Sequence, residues 1–221
     1  MSQIEAWEAV AGRWAELVRG GDDSFSPQDD AFFALLPPPG RLALDLGCGE
    51  GRVARRLRSL GYGVVGADSS PTLVRLAREA DAGGDYRIAD AVALPFDDGS
   101  FDLVVLFMSL QDMDDAATAI REGGRVLEPG GRLAFAIIHP FWTAGLADEE
   151  GDRFVIRGSY LDVVPHVRPV MQVPSVHRPL GHYFRGLEAA GLAVQTLREV
   201  PLQKRLSGRL PVYLHVVAVK P

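Results

Sequence analysis

Near the start of the chain Ile4, Trp7, Val10, Trp14, Leu17 and Val18 fall on one stripe, with Glu5, Glu8, Arg13 and Glu16 elsewhere, which predicts an amphipathic helix over residues 4–18. Leu36-Pro37-Pro38-Pro39-Gly40 ends any preceding helix, because proline removes a donor and disfavours helix in the residue before it. Beyond it the pattern alternates between two periods. Short apolar runs over 41–44, 63–68, 85–89, 101–107 and 132–138 predict strands. Helical stripes follow them: Val53, Leu57 and Leu60, then Leu73, Leu76 and Ala77 behind Pro71, then residues 115–126. Residues 101–107 are the most apolar run and predict a central strand buried on both faces. Such alternation specifies a parallel sheet with right-handed crossovers. Residues 143–178 hold no long periodic segment and predict an irregular insertion. Arg178-Pro179-Leu180 then opens a helix through Tyr183, Phe184, Leu187 and Ala190, ended by Gly191, and residues 192–200 and 212–219 predict an antiparallel pair around the loop 203–208.

The first strand runs into Leu44-Asp45-Leu46-Gly47-Cys48-Gly49-Glu50-Gly51-Arg52, a glycine-rich turn that opens a helix. Without a Cβ, Gly47, Gly49 and Gly51 let a ligand lie against the main chain, where the free amides of the helix start face it. Two ligands fit such a turn. Residues 49–54 satisfy G-x-G-x-x-A, a dinucleotide fingerprint. Asp45 and Glu50 oppose a pyrophosphate at that helix terminus. A cationic ligand, such as the sulfonium and ammonium of S-adenosylmethionine, reverses the preference. Asp68 ends the second strand, where a carboxylate can accept both hydroxyls of an adenosine ribose; the competing role for Asp68 or Ser69 is to cap the following helix.

Composition narrows the class. With 221 residues and 47% hydrophobic content the chain supports one α/β core with a modest accessory part. A net charge of −6 argues against nucleic acid as the partner. One cysteine, Cys48, excludes an intramolecular disulfide and a cysteine-rich metal site. No apolar run approaches the ~20 residues of a membrane span, and no basic region precedes an apolar core at the N-terminus, so a cytoplasmic protein that engages no membrane is expected.

The spaced set LDLGCGEG, a strand ending in Asp68, Asp90 before Leu94-Pro95-Phe96, FDLVVLF and LEPGGRLAFAIIHP, over roughly residues 40–140, resembles the class I S-adenosylmethionine-dependent methyltransferases. The resemblance implies a Rossmann-like seven-stranded, mostly parallel sheet with helices on both faces and the last strand antiparallel. It places Asp45, Gly47 and Gly49 around the methionine portion of the cofactor, Asp68 at the ribose, Asp90 with Ala91 at the adenine, and Phe107 and Met108 beside the methionyl group; Cys48, Gly51 and Ser69 are further candidate cofactor contacts. MSLQDMDD is closer to small-molecule methyltransferases, and no Asn/Asp-Pro-Pro-Tyr stands there, which disfavours adenine-amino and glutamine-amide methylation.

Methyl transfer asks the protein mainly to position an acceptor and exclude water. A general base helps where the acceptor loses a proton, and His139 and His177 are the candidates; His215 lies mid-strand and His182 follows a helix start. Trp14, Gln111, Phe141, Trp142, Tyr160 and Tyr183 are the candidate acceptor contacts, with Phe154, His166 and Met171 in the same insertion. The organisation expected is a helical lid over 1–36, a cofactor-binding core over 37–138, a substrate-side insertion over 139–180 and completion of the sheet over 181–221. Both tryptophans of the first helix either pack on the sheet or close the site together with the loop 20–26. The expected product form of the cofactor is S-adenosylhomocysteine, the partner a small-molecule acceptor, and the protein a monomer or homodimer. An NAD-type oxidoreductase, or an S-adenosylmethionine-binding protein without transferase activity, are the alternatives; no metal ligand set is expected.

Overall fold

The structure, a computed structural model, describes residues 2–20, 28–147, 153–156, 158–168, 173–201 and 210–221. Helix α1 (Gln3–Arg19) begins at a capping box: the Glu5 amide donates to Ser2 Oγ at 3.2 Å and the Ser2 amide to Glu5 Oε2 at 2.8 Å. Helix α2 (Asp29–Phe33) follows, then β1 (Ala43–Leu46), α3 (Arg52–Ser59), β2 (Val64–Asp68), α4 (Pro71–Ala80), β3 (Asp85–Ile88) and β4 (Phe101–Phe107). A 3₁₀ turn (Leu110–Asp112) leads to α5 (Ala116–Val126) and β5 (Leu127–Ile138). The chain closes with α6 (Pro140–Thr143), β6 (Gly145–Ala147), β7 (Phe154–Ile156), β8 (Val164–Arg168), β9 (Val173–His177), α7 (Leu180–Ala189), β10 (Ala193–Pro201) and β11 (Pro211–Val219).

Seven strands form one sheet in the order β10-β11-β5-β4-β1-β2-β3. β1 to β5 are mutually parallel, and β11 runs antiparallel to both β5 and β10. Successive residues of β1 point to opposite faces, so Leu44 and Leu46 join the layer holding Ile120, Tyr183 and Leu187 of α5 and α7, while Ala43 faces the layer of Leu57, Phe32 and Phe107. Burying both faces is why β4 carries an uninterrupted apolar run. The order also puts β1 beside β4 at the centre, where the crossovers diverge and the carboxyl ends open a crevice.

Three features differ from the sequence expectations. β5 begins at Leu127, directly after α5, and its pairing with β4 slips between Phe101 and Leu103, absorbing the Glu128–Gly131 turn into an irregular strand start. Helix α2 was not expected. The described part of 139–180 is not irregular: it holds α6 and two antiparallel hairpins, β6–β7 and β8–β9. Their strands escaped a periodic reading because their apolar residues do not face one way; Leu146, Val155, Val164 and Val167 are all exposed. Met171, residues 203–208 and most of the 20–26 loop lie outside the described residues. No helix among the described residues is long and apolar enough to cross a membrane.

Candidate active site

The glycine turn is held from below by β2: the amides of Gly47 and Cys48 donate to Ala67 O at 2.8 and 3.0 Å. Gly47 has φ +77°, and a Cβ there would stand 2.4 Å from Ser109 Cβ. Only glycine therefore lets the end of β4 approach the end of β1, and Ser109 Oγ uses that approach to donate to Leu46 O at 2.8 Å. Gly49, at φ +55°, opens upward; the nearest atom to a Cβ there is Trp14 Nε1 of α1 at 3.7 Å.

Across the turn, Asp68 Oδ2 accepts from the Gly49 amide and Oδ1 from the Ser70 amide, each at 2.9 Å. Burial raises its pKa, and these two donors oppose the rise. The helix cap here is Ser70, whose Oγ accepts from the Leu73 amide at 3.1 Å, so neither Asp68 nor Ser69 fills that role. Asp90 Oδ1 accepts from the Val92 amide at 3.1 Å after β3. Met108, directly after β4, has φ +58°, a left-handed conformation that costs a non-glycine residue on the order of 1–3 kcal/mol.

These groups line one cavity of about 310 Å³ at the carboxyl edge of β1, β2 and β4. Of the candidate contacts, Gly47, Cys48, Gly49, Asp68, Ser69, Asp90, Ala91, Phe107, Met108 and Trp14 border it. Its remaining walls include Gln3, Ile4 and Trp7 of α1 and Ser109, Asp112, Met113, Asp114 and Asp115 after β4. Trp7 and Trp14 meet edge to face, 5.7 Å between centroids. α1 is tied down at two places. The Gln3 amide donates to Asp114 Oδ2 at 3.1 Å, and Glu8 accepts from the Ser70 hydroxyl and, at 2.5 Å, from Thr72 Oγ1. Those hydroxyl donors lower the Glu8 pKa.

The lining is acidic. Glu50, Asp68, Asp90, Asp112, Asp114 and Asp115 border it against Arg52, which is paired with Asp29 at 2.5 Å. Glu50 is buried, with one carboxylate oxygen on Arg55 at 2.6 Å and the other lacking a hydrogen-bond partner. A pyrophosphate would meet repulsion here, whereas a sulfonium and an ammonium would be attracted. The open face of Gly49 and the unsatisfied Glu50 oxygen thus fit S-adenosylmethionine better than a dinucleotide.

Other expected contacts stand elsewhere. Asp45 is 1% exposed and does not border the cavity; the Ala54 amide of α3 donates to it, and burial above all pushes its pKa up to about 7. Gly51 is the left-handed N-cap of α3, with Tyr86 Oη 2.8 Å from where a Cβ would be. His139 turns toward the far side of the sheet. Its Nδ1 accepts from the Phe141 amide at 3.1 Å as N-cap of α6, and its Nε2 lies 3.1 Å from Glu199 of β10, at ion-pair distance but without hydrogen-bond geometry. Burial lowers its pKa and Glu199 raises it. His177 is equally occupied, with Nδ1 2.6 Å from Thr143 Oγ1 and Nε2 2.9 Å from Tyr160 O. Neither histidine borders the cavity formed by the described residues.

Gln111 is buried and donates from Nε2 to Met108 O at 2.6 Å, while Phe141 and Trp142 stack on Phe154 at 5.2 Å. Tyr160 Oη accepts from the Leu180 amide, and Tyr183 packs near Phe135 in the core, its phenol pushed up to about 12 by burial. None of these five borders the cavity. The residues missed, Gln3, Asp112 and Met113 among them, had two signals. The α1 stripe already carried Ile4 and Trp7, and a segment leaving the carboxyl end of a central parallel strand reaches the crevice by topology. Among the described residues no group of histidine, cysteine and acids could hold a metal ion.

The profile of the Methyltransferase domain family matches residues 44–135. Methyltransferase GfsG of Streptomyces halstedii is 35% identical over 179 residues, 76% of this chain; the chain spans 59% of that relative's length. Ubiquinone biosynthesis O-methyltransferase of Xanthomonas oryzae pv. oryzae is 29% identical over 233 residues, covering 100% of this chain and 94% of that protein. The crystal structure of an S-adenosylmethionine-dependent methyltransferase from Mesorhizobium loti superposes with a TM-score of 0.73 at 30% identity, over 87% of this chain and 97% of that one. With the acidic crevice and this coverage together, the chain belongs to the S-adenosylmethionine-dependent methyltransferases.

Proposed function

We propose that this chain binds S-adenosylmethionine across the glycine turn and Asp68 and transfers its methyl group to a small organic acceptor held beneath α1. The observation that carries the reading is the acidic, partly aromatic cavity at the carboxyl edge of β1, β2 and β4. The bound cofactor supplies a methyl group made electrophilic by sulfonium. Asp68 accepts from the ribose, the glycine turn holds the amino-acid portion, and Trp7, Trp14 and Met113 keep water from the acceptor. With His139 and His177 occupied elsewhere, the proton acceptors that border the cavity are carboxylates. Asp112 is the buried one in the segment after β4, and it already accepts from Ser175 Oγ at 2.8 Å. Catalysis then rests chiefly on positioning, with Asp112 placed to take a proton from a hydroxyl or amine.

The O-methyltransferase relative that spans nearly the whole chain supports oxygen as the first acceptor atom to try, before nitrogen and carbon. The test has two stages. Calorimetric titration with S-adenosylhomocysteine and with NADH separates a methyltransferase from an oxidoreductase, and tight NADH binding would overturn the proposal. Methyl release across a panel of hydroxyl, carboxyl and amine acceptors then separates an enzyme from a binding protein, and no turnover with any class would favour the latter. The single cysteine supports a reducing, cytoplasmic setting for the reaction.

A further inference from the structure

Met108 borders the cavity and is, among the described residues, the non-glycine residue with positive φ. Every polar handle it has is held. Its amide donates to Ala136 O of β5 at 2.8 Å, its carbonyl accepts from Gln111 Nε2 at 2.6 Å, and its sulfur accepts from Gln28 Nε2 at 3.3 Å. Gln28 reaches on to β11, where its Oε1 lies 2.7 Å from His215 Nε2. Gln28 is 1% exposed and His215 0%. Two polar residues buried this deeply, from opposite ends of the chain, meet at the sulfur of one cavity residue.

The sulfur fixes the direction of the array. A thioether only accepts, so Gln28 turns its amino group to Met108 and its carbonyl to His215. His215 must then donate from Nε2, which leaves Nδ1 bare, and that nitrogen has no partner. Burial lowers the His215 pKa to about 4, so the ring stays neutral, in one tautomer, at ordinary pH. Phe32 packs against the ring edge to face at 5.4 Å and against Phe107 at 5.0 Å, closing the array from the side of α2.

We infer that Gln28 and His215 are positioning residues that hold the Met108 side chain in one rotamer, on a backbone that Gln111 pins, as the wall against which cofactor and acceptor meet. This rests on the methyltransferase reading above. A flexible thioether settled before the ligand arrives need not be immobilised by it, which is preorganisation of the binding surface. The array also ties α2 to that wall, so the segment that follows the α1 cover is anchored on a cavity residue.

Nuclear magnetic resonance of the full chain labelled with [methyl-¹³C]methionine tests this, with Met108→Leu assigning the Met108 signal. In the wild type its ε-methyl shift should be that of a single rotamer and should move on adding S-adenosylhomocysteine. In Gln28→Leu, and in His215→Phe, which keeps ring volume against Phe32, the shift should move toward the rotamer-averaged value. S-adenosylhomocysteine affinity should then fall roughly two- to tenfold, the cost of immobilising one side chain on binding. In Gln28→Leu combined with Met108→Leu the loss should not exceed the larger single loss. An unmoved Met108 signal in either folded variant, or losses that multiply in the double variant, would overturn the positioning role. Should one variant fail to fold, the other decides. Absence of S-adenosylhomocysteine binding by the wild type would instead sink the methyltransferase reading and leave the array intact.

Discussion

Binding a cation in the cavity should expel a proton from Asp45. This carboxyl is 1% exposed, one of its oxygens lacks a hydrogen-bond partner, and burial, aided by Asp68 and Glu50, pushes its pKa up to about 7 against the Ala54 amide and Arg52. At pH 7 the free protein therefore carries about half a proton there. Taking Coulomb's law at an effective dielectric near 20, a unit positive charge bound within roughly 6 Å of a carboxylate is worth about 3 kcal/mol, or about two pKa units. That moves the group to about 5 and releases roughly half a proton per cofactor bound at pH 7. S-adenosylhomocysteine, which lacks the sulfonium, should release much less. Calorimetric titration with S-adenosylmethionine in buffers of differing ionisation enthalpy reads the number directly. A zero slope at pH 7, or the same slope in Asp45→Asn, would refute the reasoning. Stability follows with a definite sign. The folded-state pKa lies above the ordinary 3.8, so the burial cost of the charge is absent below about pH 4 and fully present above about pH 7. Across that window the wild type should lose on the order of 4 kcal/mol from this group as pH rises. Asp45→Asn, which keeps an acceptor for Ala54, should flatten the dependence and raise the melting temperature at pH 8.

Asp68→Ala should weaken S-adenosylhomocysteine binding by roughly 1.5–3 kcal/mol, the loss of a charge-assisted hydrogen bond; unchanged affinity in calorimetry with intact circular dichroism would remove the ribose assignment. His139→Ala should cost roughly 0.5–2 kcal/mol of stability through the lost cap on α6 while the turnover of folded protein survives; a hundredfold fall in turnover at unchanged melting temperature would restore it as a base. Glu8→Ala should lower hydrogen-exchange protection of residues 7–18 in the free protein by releasing α1 from Ser70 and Thr72, and cofactor should restore part of it. Equal protection in wild type and variant, with and without ligand, would make α1 ordinary packing instead of a cover.

What could be read from the sequence followed the locality of each interaction. The glycine turn, Asp68 and Asp90 were legible because each lies at the carboxyl end of a parallel strand, and topology alone delivers such ends to the crevice. Trp14 was legible for another reason: an amphipathic stripe preceding the core has to lie on something. The candidate histidines stand outside the cavity of the described residues, where long-range pairing decides. Pro140 correctly marked His139 as held, yet what holds it is the Phe141 amide and a carboxylate on β10, on the side of β5 away from β1. Tyr183 shows the same limit, since helical periodicity tells which residues of α7 are buried but not which layer of the sheet receives them.

The Gln28, Met108 and His215 array marks the far end of that scale. Its members come from α2's N-cap, the end of β4 and the middle of β11, and no spacing links them. Seen singly, His215 is a core histidine and Gln28 an ordinary polar residue before a helix. Only the closing of the sheet by β11, antiparallel beside β5, puts an imidazole donor within reach of an amide that already holds the sulfur of a cavity residue. The part of the chain that carries the common cofactor chemistry is therefore the part written in local motifs. The features that shape this particular cavity depend on α1 and, through Met108, on α2 and the return strand β11, and substitutions there should change acceptor preference as well as cofactor affinity.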